Sequence, residues 1–452
     1  MRSPRGRRPA DVVLDFKHAN ALEGVRFTAQ VGAPNVLQGL FRRRETVVRV
    51  AGMAASYQLA YRLTAGLVRK YGPDPFYVRV AKDEALLVSH PDDIRLVLEG
   101  SPIPFASDPD AKKKGMAAFQ PDALTISRGD LWANRRAFAE AVLDTGKPLH
   151  RLADRFAALA VDEADALLAA GEPIQWDALN AAFQRLTRRV VLGSAAAEDS
   201  GLSDQLGELL AAGNKMPGEP DPAYAGFEAQ LQKYVDAPDP DALTGLVAKA
   251  PQDGETRVAG QLVHWLFAMG DTLPANLFRA LALLATHPAA LSVVRSEFAE
   301  GAPSEAATVA EAAYTAGCLL EAMRLWPTTG LFGRVLTEDH RFPNGELVKE
   351  GTQVLIHNLF NHRNRDRVPY ADTFAPEEWA EGDAGSDWSF NFFSNGPQGC
   401  PGAGLAIFLG TAFLARLVAA SDPKVLSGPR LRPTTPLPYS LDIYTLSVSL
   451  DA

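Results

Sequence analysis

Hydrophobic and polar positions recur along most of the chain with the period of an α-helix. Phe156, Leu159, Ala160, Ala164 and Leu167 fall on one face, with Asp154, Asp162 and Asp165 between them. Similar stripes fill the middle of the sequence, so helices should dominate. Period-two patterning is rarer. Phe76-Tyr77-Val78-Arg79-Val80 and Ala85-Leu86-Leu87-Val88 flank the polar Lys82-Asp83-Glu84, which predicts a hairpin, and Gly351 to His357 reads as another short strand. Pro and Gly cluster in Pro217 to Pro222, Pro238 to Pro240 and Phe374 to Gly402, as expected of loops within one body. No fixed period repeats, which argues against a solenoid. Ala51 to Val68 is the best stretch for a membrane segment, but Tyr57, Gln58, Tyr61 and Arg62 interrupt it, so an amphipathic surface helix is expected and no membrane span. The expected fold is mainly α with small β-sheets, as a single large domain at 51–452 behind an N-terminal tail and extension at 1–50.

Composition narrows the function. Hydrophobic residues make up 47% of the 452 positions against 22% charged, enough for a large core. The 45 Lys and Arg are outnumbered by 54 Asp and Glu, a net charge of -9, which makes nucleic acid an unsuitable partner. Arg2, Arg5, Arg7 and Arg8 precede no apolar run and read as a solvated tail. The two cysteines, Cys318 and Cys400, have no CxxC spacing; neither a disulfide framework nor a structural zinc site is expected, and a reducing cytoplasm fits.

The chemistry centres on Cys400. From Phe392 to Ala406 four glycines and two prolines surround this one cysteine before an apolar helix begins. Glycines let backbone approach a flat ligand and turn amide hydrogens toward a sulfur, while the helix places its positive end near a thiolate. This layout suits a metal-binding cysteine, although the spacing taken alone fits a small buried cysteine in a Gly-rich turn better.

The string Phe393-x-x-Gly396-x-x-x-Cys400-x-Gly402-x-x-Leu405-Ala406 resembles the cysteine-ligand loop of the cytochrome P450 family. Further matches come in family order. Trp132-Ala133-Asn134-Arg135-Arg136 is similar to a haem-edge motif, and Ala268-Met269-Gly270-Asp271-Thr272 to the oxygen-binding motif of the central helix. Glu321-Ala322-Met323-Arg324 with Leu325-Trp326-Pro327 resembles the Glu-x-x-Arg helix, and Phe374-Ala375-Pro376-Glu377-Glu378-Trp379 the meander before the cysteine loop. The set spans 132 to 406.

The resemblance implies the cytochrome P450 fold and a haem-thiolate monooxygenase that uses dioxygen and two electrons to oxidise a small hydrophobic molecule. A peroxide-dependent peroxygenase and a non-catalytic haem-thiolate sensor are the alternatives. Cys400 would be the axial ligand of haem b, since no CxxCH offers covalent attachment. Phe393, Gly396, Gly402 and Ala268 would border the haem, and Trp132, Arg136 and Arg334 would reach its propionates. Asp271 and Thr272 would deliver protons. The residues add to this, because Pro274 has no amide hydrogen, so the Gly270 carbonyl loses its helical donor and the helix should open there. A helix cap at Asp271 or Thr272 is the competing reading. Glu321 and Arg324 would be a buried structural pair. Helical counting from Thr272 places Gln261, His264, Trp265 and Ala268 toward the pocket, and the stretches Phe119 to Leu124 and Thr328 to Phe332 would line it.

Three positions depart from the family pattern. Gln398 stands where Arg or His is usual, Met269 where glycine is common, and Glu378 where an arginine often joins Glu321 and Arg324, leaving Arg363 as a candidate substitute. Expected partners are a small-molecule substrate and a ferredoxin with its reductase, docking where Arg128, Arg135 and Lys147 form a basic patch on a monomer.

Overall fold

In a computed structural model, residues 15–419 and 421–451 are described. Helices make up most of this body, and the strands are short: β1 (Phe76–Val80), β2 (Asp83–Val88), β3 (Phe105–Ala106), β4 (Ile174–Gln175), β5 (Leu331–Leu336), β6 (His340–Arg341), β7 (Leu347–Val348), β8 (Gln353–His357), β9 (Asp422–Ser427) and β10 (Ser447–Asp451). The main sheet runs β1-β2-β8-β5-β3, with β2 and β8 parallel and the other neighbours antiparallel. The expected hairpin and late strand are β1-β2 and β8. Ala81 takes a φ of 55° at the hairpin turn, and Ala85 to Val88 are all buried because helices cover both faces.

The helical half is built around the apolar Val258–Leu284 and Ala403–Ala419, whose residues Leu277 to Leu284 and Leu409 to Val418 lie almost wholly inside the main core. Helix Ala153–Ala170 buries Phe156, Leu159, Ala160 and Ala164, as its periodicity predicts, and packs against Ala403–Ala419. Among the described residues no single helix is long and apolar enough to cross a membrane.

Two expectations need correction. The stretch from Ala51 to Val68 is not one helix, because Ala55 adopts left-handed backbone (φ 49°) and separates Glu45–Met53 from Ser56–Tyr71. Nor is 1–50 an extension throughout. Phe16 is buried, Ala19 and Tyr77 share a backbone hydrogen bond of 2.8 Å, and Phe27 and Val31 are fully buried against β1 and its neighbours. Residues 15–50 are part of the body because their aromatic and aliphatic side chains cover the outer face of the sheet. Arg2, Arg5, Arg7 and Arg8 lie outside the described residues.

Candidate active site

The Cys400 loop is held from within and from two neighbours. The Cys400 amide donates to the Phe393 carbonyl at 2.7 Å and the Gly399 amide to Gly396 at 2.8 Å. Arg136, on helix Gly129–Leu143, donates to the Gly399 carbonyl at 2.5 Å while pairing with Glu140 at 2.6 Å. Gly396 has a φ of +81°, and a Cβ there would strike the Leu98 carbonyl, so only glycine lets the loop sit on helix Pro91–Glu99. Burial pushes the Cys400 thiol up, opposed by a hydrogen bond from the Gly402 amide and by the Arg136 charge. These opposing effects favour the thiolate once a cation lies against the sulfur. Among the described residues no group of three or more His, Cys, Asp and Glu side chains converges, so a metal at Cys400 would need its remaining ligands from elsewhere.

The central helix opens where expected. Ala268–Thr272 forms a π-helical turn between Val258–Phe267 and Leu273–Leu284. The Gly270 carbonyl, deprived of a donor by Pro274, accepts instead from Asn180 Nδ2 at 2.9 Å and Gln184 Nε2 at 3.0 Å, both on helix Trp176–Val191. Asp271 receives a weak contact from Asn180 at 3.5 Å, and burial raises its carboxyl above the ordinary range against the pull of Arg42, Arg43 and Asn180. Neither Asp271 nor Thr272 caps the following helix, which removes the competing reading. Met269 is 7% exposed and packs in the main core.

Arg334 on β5 is 2% exposed, and its donors reach only neutral groups: Ser101 Oγ at 3.0 Å, the Gly333 carbonyl at 3.1 Å and Ser394 Oγ at 2.7 Å. Its guanidinium also lies 4.3 Å from the Phe332 ring centroid. A buried cation without a carboxylate is costly, and burial alone drops this guanidinium to about 9. Gln398 Oε1 is likewise buried without a partner. Trp132 is partly buried against the main core.

Other expected site residues have different roles. Gln261 is not free to meet a substrate, since it donates to Asp122 and Thr256 carbonyls at 2.7 and 3.0 Å and accepts from the Leu124 amide at 3.3 Å. It fastens the 119–124 stretch to the central helix. Trp265 stacks on Phe138 at 6.0 Å and 7° inside the core. His264 is only partly buried and bonds Gln120 at 3.1 Å, with its imidazole pushed down to about 4 by burial.

Glu321 and Arg324 are both 0% exposed and paired at 2.5 Å, with Arg324 also donating to the His362, Tyr370, Ala371 and Thr373 carbonyls. The third arm is not Arg363, which pairs with Asp372 at 2.7 Å. Trp379 Nε1 donates to Glu321 at 2.8 Å and the Ala375 amide at 3.1 Å, so the residue beside Glu378 completes the cluster. The expected basic patch also changes. Arg135 is buried against Asp122, Ser127 and Glu255, and Arg128 and Lys147 are paired with Asp108 and Asp144.

A cytochrome P450 family model matches residues 240–441, which contain the opened turn, the Glu321–Arg324 pair and the cysteine loop. The fold is similar to that of retinoic acid-bound cyanobacterial CYP120A1, with a TM-score of 0.68 at 19% identity, covering 85% of this chain and 93% of that one. The fold, and the sequence of that C-terminal stretch, are thus similar to those of the cytochrome P450 family. The chain is 25% identical over 337 residues to cyclooctat-9-en-7-ol 5-monooxygenase of Streptomyces melanosporofaciens, covering 67% of this chain and 72% of that protein. It is 31% identical over 148 residues to human cytochrome P450 4A22, a stretch covering 32% of this chain and only 28% of that protein. The mammalian match thus spans under a third of its relative. For a P450, the residues fit a haem: one cysteine donor suits an iron whose other positions are filled by a macrocycle, and Arg334 lacks the counter-charge that a propionate carries.

Proposed function

We propose that the protein is a haem-thiolate monooxygenase acting on a small hydrophobic molecule, fed by a ferredoxin-type electron donor. The observation that carries this is the opened Ala268–Thr272 turn, which carries Asp271 and Thr272, on a chain whose Cys400 is backed by the Gly402 amide. When bound at Cys400, haem b supplies dioxygen reduction: two electrons and two protons leave one oxygen atom in the substrate and one in water. The chain's part is to orient and protonate. Arg334 and Arg136, with Trp132, would hold the propionates, while Phe393, Gly396, Gly402 and Ala268 border the ring. Asp271, raised by burial, holds its proton to higher pH than a free carboxyl does and can pass it toward the Thr272 hydroxyl. Asn180 and Gln184 keep the turn open by satisfying Gly270. His264 and Phe332 would face the substrate.

Haem uptake and the carbon monoxide complex test the reading. Acid-organic extraction should strip the pigment, and Cys400→Ser should abolish the strongly red-shifted Soret band of the ferrous carbonyl form. A band that survives the substitution would reassign the ligand.

A further inference from the structure

Lys112 lies on helix Asp110–Ala117 and is partly buried. Its ammonium donates to the Ser107 carbonyl at 2.9 Å and the Thr125 carbonyl at 3.1 Å. An ammonium has three protons, so one donor remains. Its nearest acid does not take it: Asp108 is committed to Arg128 at 2.9 Å. Among the described residues no ion pair reaches either Lys112 or Arg334.

These two cations lie at one place in the fold. β3 pairs with β5 through Phe105↔Leu336 and Ala106↔Val335, so the next residue along, Ser107, continues toward Arg334. A Cβ on Gly333 would stand 3.3 Å from Pro109, just before the helix that carries Lys112. Proximity shows in the electrostatics too, since burial and the Arg334 charge together pull the Lys112 amine down to about 7. The Lys112 charge in turn depresses His264 on the central helix. Two neighbouring, largely desolvated cations with only neutral acceptors are unstable as a pair, and a shared anion would relieve both.

We propose that Lys112 is a carboxylate anchor of the haem pocket, acting beside Arg334 and taking over the cationic contact that Gln398 does not make. This rests on the haem-thiolate reading above. A carboxylate has two sources here, a haem propionate or an acidic substrate, and both offer the same oxygen to the free ammonium proton.

Wild type, Lys112→Met and Lys112→Arg are compared as purified holoprotein in two arms. The first follows haem transfer to excess apomyoglobin, using native haem and its dimethyl ester. The second measures dissociation constants of dodecanoate and methyl dodecanoate from Soret shifts, and melting-temperature shifts with the same probes on haem-free protein. If the anchored group is a propionate, Lys112→Met speeds loss of native haem by roughly tenfold, the scale of one charge-assisted hydrogen bond, and leaves the diester unaffected. If it is a substrate acid, dodecanoate weakens by about the same factor and the ester does not. Lys112→Arg stays near wild type in the arm that responds. Equal behaviour of acid and ester, or of haem and diester, in both arms overturns the proposal, including the case where Lys112→Met merely lowers overall stability. A wild type that takes up no haem would instead defeat the haem-thiolate reading, while the melting-temperature comparison still decides Lys112.

Discussion

At the scale of single residues, Thr272 separates chemistry from architecture. Its side chain caps nothing, so Thr272→Ala should change stability by less than about 0.5 kcal/mol. If it passes protons, reductant consumption through a surrogate reductase should continue while hydrogen peroxide replaces product. Full coupling of reductant to product in that variant would sink the assignment. The buried Glu321–Arg324 pair and the opening of the helix at Ala268–Thr272 are legible because each sits in a short string whose spacing already states its geometry. Gln261 and Trp265 were misread for a physical reason. Helical counting gives the face a residue shares, but not what covers that face, and here the 119–124 stretch and Phe138 cover it. Asn180 and Gln184 gave no signal because their partner, the Gly270 carbonyl, is distant in sequence.

At the scale of elements, the π-helical turn depends on a helix that the sequence does not connect to it. Gln184→Leu would leave Gly270 with one donor instead of two and should cost about 0.5–1.5 kcal/mol in a denaturant titration. It should also raise the peroxide fraction, while the carbonyl-complex Soret band stays in place. An unchanged peroxide fraction would show that the turn holds without help. The Glu321–Arg324 cluster makes a different claim. Arg324→Met would strand a fully buried carboxylate and should destabilise by about 3–5 kcal/mol, read as a fall in unfolding midpoint or in soluble yield. Pro274 dictates the opening of the helix but not its donors, since an amide lost locally can be replaced from any direction. The hairpin and β8 were readable from alternation, whereas the packing of Phe27 and Val31 was not, because a sheet face needing cover lies beyond any local window.

At the scale of the whole molecule, acid sensitivity follows from buried imidazoles. His357 and His362 are 2% and 0% exposed, and burial pushes each down to about 3. The unfolded chain binds their protons below about pH 6.5 and the folded chain does not, so stability falls as pH drops, by about 1.4 kcal/mol per pH unit for each. Asp271 acts in the opposite sense, since its raised carboxyl stabilises the fold at low pH and loses that effect as pH rises through its folded value. Melting temperatures from pH 7 to pH 4 should therefore decline, and His357→Gln should flatten the slope; a slope unchanged by it would place the acid sensitivity elsewhere. Across the molecule, the Gly270 carbonyl is claimed by side chains of helix Trp176–Val191, while Lys112, His264 and Phe332 belong to other elements. On the proposed roles, yield of product per electron and choice of substrate would be encoded in different stretches of the gene. Selection, natural or in the laboratory, can adjust one trait while the other is left alone.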